Sequence, residues 1–583
     1  MKKYLFIALA ALGFAACADK LEDTKSPAHN GEVEESYIAI NLMAADVDSR
    51  AVTDDIGNAD EYGYELGTEA ERKINSAHFF FFDAEGNPFN VNGAPATAPG
   101  GSKNHMALTI SEVTTSNMPN VSDIKEAVLV LNTYKGVYPS KIVAVLNWTP
   151  ADRAYSLADL HDVMATLGNN NDGYVMANSV YMDGAGKAVD ATPLTAANIK
   201  TSAEAAIAAP VEIYVERIAA KVVLTAGGKV AGTENIFDTQ KNSTPILSAG
   251  QSSEIDVYVK LFGWELYNDY NTTNLLKDIE NWNVAELGLT WNDIPYYRCY
   301  WATSQNENPN DSFSWNYNED TQAEKGFKTE YGFAVASEAN YTDATTYTYC
   351  GENTTTNYRT KVILKGQLMK ADGEAESGYS PLELARWYGT DYAGNYALRI
   401  AVANSIKYTL YYYDEEGSKY ISVAPEDLQC VKGKAVDENA KSYEVGFQLS
   451  TDGAAKTWFK YDSEKGYVRM GNPDVTGDNA AKANEYLATV EPALLYAEGM
   501  TYYTVDIEHL GATGKTAEYG VVRNHVYQID IKSIKGYGSP VYSTVDFVIG
   551  QPEYPTEDEA SYVAAKINVL SWKVVKQQVD IVQ

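Results

Sequence analysis

Residues 37–51 read YIAINLMAADVDSRA, and they alternate. Ile38, Ile40, Leu42 and Ala44 fall on one face, with Tyr37, Ala39, Asn41 and Met43 on the other. That period of two is the mark of a half-buried β-strand. The chain then turns polar and sets Arg50 as the one base in the run DVDSRAVTDD. A base in an acidic, turn-like segment is open to an arginine-specific protease. If the bond between Arg50 and Ala51 were cut, a strand already paired into a sheet would become a separate peptide. Its departure would leave an apolar groove and an unpaired sheet edge, a template for a strand from another molecule. The alternative is an ordinary first strand followed by an exposed arginine.

At 583 residues the chain is too long for one core, so two domains of ordinary size plus processing segments are expected. Hydrophobic residues make up 45% and charged residues 21%, which is a globular balance. With 79 acidic against 46 basic residues, the net charge of -33 repels phosphate backbones and anionic headgroups. Nucleic acid is therefore excluded as a partner class. The 44 tyrosines against 15 phenylalanines suit strands, and also surfaces that are half apolar and half wet. Beyond Cys17, only Cys299, Cys350 and Cys430 remain, without metal-ligand spacing. One bridge among the three would leave one thiol over.

Residues 1–17 form a targeting segment. Lys2 and Lys3 make a basic head, Tyr4 to Phe14 a short apolar core, and Phe14-Ala15-Ala16-Cys17 its end. Small residues before a cysteine resemble a bacterial lipoprotein cleavage box, with Cys17 becoming the lipidated (palmitate-bearing) N-terminus. Phe14 departs from the leucine usual in that box. A plain secretory signal with an incidental cysteine is the alternative. Asp19, Glu22 and Asp23 follow at once, which resembles a surface-export signal. No other run approaches the roughly eighteen apolar residues of a membrane span.

From residue 51 onward the pattern is strands joined by polar connections. Ile74 to Phe82 is strongly apolar and is closed by the turn residues 83–88. Ala127 to Leu131 and Ile142 to Leu146 read as buried strands. Ser156 with Asp159 is a capping-box pattern, opening a short helix through Leu160 and Met164. Val211 to Leu224 (VEIYVERIAAKVVL) reads as one long strand with Glu216 and Arg217 at its middle. Residues 225–228 form a plausible break. Further strands are expected at 255–262, 360–364, 408–413, 502–507 and 521–534. Short helices are expected at Pro381 to Trp387 and Ala480 to Leu487, and loops at 303–313 and 339–357. The fold class is all-β, two β-sandwich domains with a few short helices in the connections. The expected divisions are a signal peptide (1–17), a propeptide with a removable first strand (18–50), an N-terminal sandwich (51–228) and a C-terminal sandwich (229–583).

Gly520 to Tyr527 (GVVRNHVY), followed by Ile529, Ile531, Ile534 and Gly536 to Pro540 (GYGSP), closely resembles the C-terminal signature of Bacteroidetes fimbrillins. Val215 to Val223 (VERIAAKVV) resembles the strand that closes their N-terminal domain. With the lipoprotein box, the strand before Arg50 and Ala565 to Trp572 (AKINVLSW), the resemblance runs over nearly the whole chain. It is nearest to the major subunits of short, Mfa-type fimbriae, the type V pilins. The resemblance implies two transthyretin-like sandwiches, export as a lipoprotein, cleavage after an arginine, and filling of the vacated groove by a neighbour's C-terminal segment. Carried onto this chain it implies Cys17 as the lipid site, Arg50-Ala51 as the scissile bond and Ile38, Ile40 and Leu42 as the removable plug. The donor strand falls at about 566–583, carried by Ile567, Val569, Leu570, Trp572, Val574, Val579 and Ile581. Implied partners are further copies of the chain in a filament, anchor and tip fimbrillins, an arginine-specific protease, and host or bacterial surface receptors. The tail itself changes parity. Leu570, Trp572 and Val574 share one face, and Val575, Val579 and Ile581 the other. A bulge or two half-strands with different partners would produce that change. A C-terminal edge strand paired within its own domain is the alternative.

Catalytic and cofactor patterns do not emerge. The six histidines (29, 78, 105, 161, 509 and 525) show no metal-binding spacing, and His525 reads as a packed strand residue. Residues 511–516 (GATGKT) mimic a phosphate loop, but His509 stands where its first glycine belongs. Asn169 to Gly173 (NNNDG) reads as a tight turn. Three functions remain: a fimbrial shaft subunit, favoured by the donor-like tail; a tip or anchor subunit or lipid-held glycan-binding surface protein; and a glycan-active enzyme. Only the loop tryptophans Trp291, Trp301 and Trp315 speak for the last.

Overall fold

A computed structural model describes residues 33–45, 68–91, 103–108, 121–134, 136–182, 188–226, 235–277, 330–335, 343–353, 359–372, 378–436, 444–509, 519–541, 562–570 and 574–576. Past Ala39 in the first strand, and in the two C-terminal strands, it describes the backbone path.

The first sheet is built from β1 (Val33–Ala45), β2 (Ala77–Phe82), β3 (His105–Leu108), β4 (Val121–Tyr134), β5 (Lys141–Leu146), β6 (Met176–Asn178) and β7 (Val211–Arg217). Its order is β3-β2-β5-β6-β7-β1-β4. The four consecutive phenylalanines of β2 are explained by burial on both faces. Phe79 and Phe81 enter one core with Ile142, Ala144, Leu129 and Ile213. Phe80 and Phe82 enter another with Val143, Val145, Leu160 and Leu276. In the first of these, residues from both ends of the strand order meet, so the sheet curls until β1, β4 and β7 face β2 and β5. Ser156 caps helix α1 (Leu157–His161): its Oγ accepts from the Asp159 N–H at 3.0 Å, and the Asp159 carboxylate accepts from the Ser156 N–H at 2.7 Å. The helix stops at His161. Met164, expected within it, lies in the strand Met164–Thr166 that pairs with Thr272–Asn274.

The run 211–224 is two strands in two sheets. β7 ends at Arg217 and β8 (Ala219–Ala226) begins in the second sheet. The reason is a change of backbone partner. The Ile218 N–H donates to the Val175 carbonyl at 3.0 Å. The Ala219 carbonyl then accepts from Asn524 N–H at 2.6 Å, and Lys221 N–H donates to the His525 carbonyl at 2.9 Å.

In the second half lie β9 (Gln251–Tyr267), β10 (Tyr347–Gly351), β11 (Lys361–Ala371), helices α2 (Gly394–Ile406) and α3 (Asp478–Leu487), β12 (Met500–Asp506), β13 (Val526–Lys535), β14 (Tyr562–Leu570) and β15 (Val574–Lys576). The second sheet runs β10-β8-β13-β14-β15. It packs on a long sheet that includes β9, β11 and β12 as neighbours. Val222, Leu224, Tyr527 and Ile529 from one sheet meet Val259, Trp264, Val362 and Leu364 from the other. The chain is thus all-β in class, with β-sandwich packing and a few helices.

Two expected features change. Pro381 to Trp387 is not helical: Leu384–Trp387 is a strand that turns through Tyr388 (φ 47°) and Gly389 (φ 72°) into the strand Thr390–Tyr392. The stretch 339–357, expected as a loop, contains β10. Helix α2 was not anticipated. Its Leu398, Val402 and Ile406 share a core with Trp458 and Phe447, as do Ala483 and Leu487 of α3. In the GYGSP motif, Gly538 has φ 74°, and a Cβ there would sit 2.7 Å from the Tyr502 carbonyl oxygen. A side chain has no room at that turn.

Phe81 is fully buried. Phe81→Ala is expected to cost about 3–5 kcal/mol by the lost transfer energy and the cavity left behind, measured as a lowered denaturant midpoint with an unchanged slope.

Candidate strand-exchange site

β1 lies inside the first sheet with a partner on each side. It runs parallel to β7, with Ile40 opposite Val211, Leu42 opposite Ile213 and Ala44 opposite Val215. It runs antiparallel to β4, with Ile38 opposite Leu129 and Ile40 opposite Ala127. Before β7 begins, Tyr37 takes its place on that side through reciprocal backbone bonds with Lys200, at 2.8 and 2.9 Å. Ile38 and Leu129 are fully buried and share one core with Val211, Ile213 and Val215. Removing β1 would therefore open two ladders and uncover these side chains. Among the described residues β4 is the end of the strand order, joined to it by β1.

Among the described residues, β14 and β15 pair as a hairpin. β14 pairs antiparallel with β13, Ile567 opposite Ile529 and Leu570 opposite Val526, with a shift of register between Ile531 and Ser533. β15 folds back so that Val574 faces Leu570 and Val575 faces Val569. These two strands form the edge of the second sheet among the described residues. Cys17, Arg50, Ala51, Trp572, Val579 and Ile581 lie outside the described residues, as do Cys299 and residues 511–516. Cys350 and Cys430 are not in disulfides. Burial pushes both thiols up, that of Cys430 to about 12, which makes them poor nucleophiles. At Asn169 the side-chain oxygen accepts from the N–H groups of Asn171 and Asp172 at 2.8 and 2.9 Å, so NNNDG is a self-bonded turn.

Between the two sheets sits a set of buried charges. Glu71, just ahead of β2, exchanges bonds with Thr68: its carboxylate accepts from the Thr68 N–H at 2.6 Å, and its own N–H donates to the Thr68 hydroxyl at 3.2 Å. The same carboxylate takes Lys221 Nζ of β8 at 2.9 Å and the Tyr349 hydroxyl of β10. Its carbonyl accepts from Arg217 Nε of β7 at 2.6 Å, while Arg217 also donates to the Asn524 side chain at 3.2 Å. Lys277 pairs with Glu216 of β7 at 3.0 Å, with both side chains fully buried. Arg523 donates to the Asn274 and Leu275 carbonyls at 2.6 and 3.0 Å and pairs with Glu352 at 3.3 Å. The VRNHVY run therefore has a structural account. Arg523 caps carbonyls of the neighbouring unit, Asn524 holds a left-handed turn at φ 59°, and the Tyr527 hydroxyl accepts from Val522 N–H at 2.7 Å. His525 is buried with its ring Nδ1 2.7 Å from the Arg523 carbonyl, as a packed residue.

Sequence reasoning noticed Glu216 and Arg217 but not their partners. The signals are four charges (Glu212, Glu216, Arg217 and Lys221) in the apolar run 211–224 and the Thr68-Glu69-Ala70-Glu71 pattern, which has capping-box spacing. Burial pushes the Glu71 carboxyl up, but the Lys221 ammonium, the Tyr349 hydroxyl and the Arg217 guanidinium outweigh it and hold it below its ordinary value of 4.5. A lowered folded-state value makes this group stabilising above about pH 4.5, and that contribution is lost as pH falls through the folded value. Thermal unfolding followed from pH 7 to pH 3 should show a fall in midpoint below about pH 4.5 that is shallower in Glu71→Gln.

Residues 494–578 match the family described as major fimbrial subunit protein type IV, fimbrillin, C-terminal. No curated protein matches the chain. Among solved structures, it is similar to a putative cell adhesion protein from Parabacteroides distasonis, at 10% identity over 94% of this chain and 98% of that one, TM-score 0.35. It is similar to the tip fimbrial protein Mfa3 from Porphyromonas gingivalis with C-terminal truncation, at 12% identity over 91% and 99%, TM-score 0.26. A fimbrilin (fimA) from Porphyromonas gingivalis shows 11% identity over 91% and 96%, TM-score 0.29. The family match spans β12, the GVVRNHVY and GYGSP motifs, β13 and the C-terminal hairpin, and it identifies residues 494–578 as a fimbrillin C-terminal region.

Proposed function

We propose that this fimbrillin is the shaft subunit of a cell-surface fimbria, polymerised by exchange of β1 for a neighbour's C-terminal strand. The observation that carries the reading is the position of β1. It is an interior strand, paired on both sides, and Arg50, the one base in the run DVDSRAVTDD, follows it in the sequence. Lipid on Cys17 holds the precursor at the outer membrane. Cleavage between Arg50 and Ala51 releases the anchor and the strand together. The groove between β7 and β4 then takes Ile567 to Ile581 of the next copy in place of Ile38, Ile40 and Leu42.

The energetics favour replacement over an empty groove. Each aliphatic side chain returned to the core contributes roughly 1.5–3 kcal/mol, and the ladders add modest net terms per bond. The contact is head-to-tail, so it does not close and gives a filament. Processing limits at 17 and 50, a boundary between the two sandwiches at Ile218 in place of 228, and partnership with anchor and tip fimbrillins and surface receptors belong to the same proposal, which assigns the chain no catalysis. A tip or anchor subunit is the second reading. The C-terminal hairpin favours a shaft, because the end of a fibre needs only one half of the exchange.

Arg50→Ala is expected to leave a lipid-bearing monomer, and deletion of residues 572–583 a cleaved chain that does not polymerise. Electron microscopy of the cell surface reads both. Normal fibres from either variant would falsify the proposal.

A further inference from the structure

The acceptor groove and the C-terminal hairpin are joined by one continuous route through the molecule. β1 pairs with β7; β7 continues through Ile218 into β8; β8 runs parallel to β13, Lys221 opposite Val526 and Thr225 opposite Asp530; and β13 carries β14. At the one step made by the covalent chain alone, residues 216–221, the two sheets part company. The buried charges gather there. Glu216, Arg217 and Lys221 lie within six residues of an apolar run, all nearly or fully buried. Their partners come from elsewhere in the chain: Glu71 from the segment before β2, Lys277 from the connection after β9, and Asn524 from the turn before β13.

We propose that Glu71 and Lys221 are positioning residues that lock the crossing, so that the first sheet and the second sandwich open as one unit. Buried ion pairs add little net stability over apolar residues of the same volume, but they fix geometry, because a carboxylate, a guanidinium and an ammonium are satisfied in only one arrangement. Glu71 is suited to this. Its carbonyl is bound from β7, and its carboxylate is bound from β8 and β10. One residue thus ties both sides of the crossing and also fastens the segment that follows the proposed cleavage. The Lys221 ammonium is enclosed further by the Tyr347 ring, 4.0 Å from its centroid. A hinge at Ile218 would let tension between groove and tail bend each subunit. The lock makes the route stiff. The coupling itself stands without strand exchange; only its role in carrying tension along a fibre rests on the shaft reading.

The test uses the full chain and the double variant Glu71→Gln/Lys221→Met, which removes both charges and leaves neither buried alone. Scanning calorimetry and amide exchange are read together. The wild type should unfold in one transition, with β7 and β8 amides exchanging through the same opening. The double variant should resolve into two transitions, β7 exchanging at least tenfold faster relative to β8. Lys221→Arg should keep the single transition. Tyr349→Phe, which deletes one hydroxyl, should shift the β7-to-β8 exchange ratio in the same direction by a few-fold, and it serves if the double variant does not fold. A single transition with only a lowered midpoint, an unchanged ratio in Tyr349→Phe, or two transitions already in the wild type would overturn the lock. Failure of strand exchange would appear instead as chains that do not polymerise, with the calorimetry unchanged.

Discussion

Two backbone ladders hold β1, one from β7 and one from β4, and the chain's organisation follows from that double pairing. A strand at a sheet's end can leave without much consequence. A strand between two others cannot, since its departure uncovers Val211, Ile213 and Leu129 as well as two rows of peptide groups. Unpaired buried peptide groups are too costly to persist. A chain that discards such a strand must receive another. The same physics that holds β1 in place would make a groove emptied of it demanding.

In the proposed exchange, the C-terminal strands of a neighbouring copy meet that demand. β14 and β15 are the last strands of the sheet carrying the family signature. In the single chain they fold as a hairpin, with each residue of β15 facing one of β14. β14 is paired on both sides, by β13 and β15, and β15 is held on one side only, so the proposed exchange would have to free β14 from both neighbours. The hairpin sets Leu570 opposite Val574 and Val569 opposite Val575, while Trp572, Val579 and Ile581 lie outside the described residues.

Much of this was legible in the residues, and the failures have physical causes. The β2 phenylalanines and the Ser156 cap announced themselves, because a strand buried on both faces and a capping box are local patterns. The break at Ile218 did not. Nothing in VERIAAKVV marks it, since it arises when backbone partners change from Val175 to Asn524 and His525, more than three hundred residues away in sequence. Helix α2 was hidden by its Gly394-Asn395 start and by Ile400 and Val402, which weaken helix propensity; tertiary packing of Leu398 and Ile406 overrides them. The strand Leu384–Trp387 was mistaken for a helix because its turn uses Tyr388 with Gly389, not the Asn-Gly pair that usually marks such hairpins. At the site, alternation marked β1 as a strand and Ile38 is buried as it implies, but the strand's neighbours and the Glu71–Lys221 contact come from topology. The buried charges were visible in the sequence as an oddity without an explanation.

The most direct measurement is the N-terminal sequence of the protein recovered from assembled surface fibres. The account requires it to start at Ala51, with Ile38 to Leu42 gone from every polymerised copy. Fibres whose subunits still carry Tyr37 to Arg50 would contradict it, because the groove would then never have been emptied.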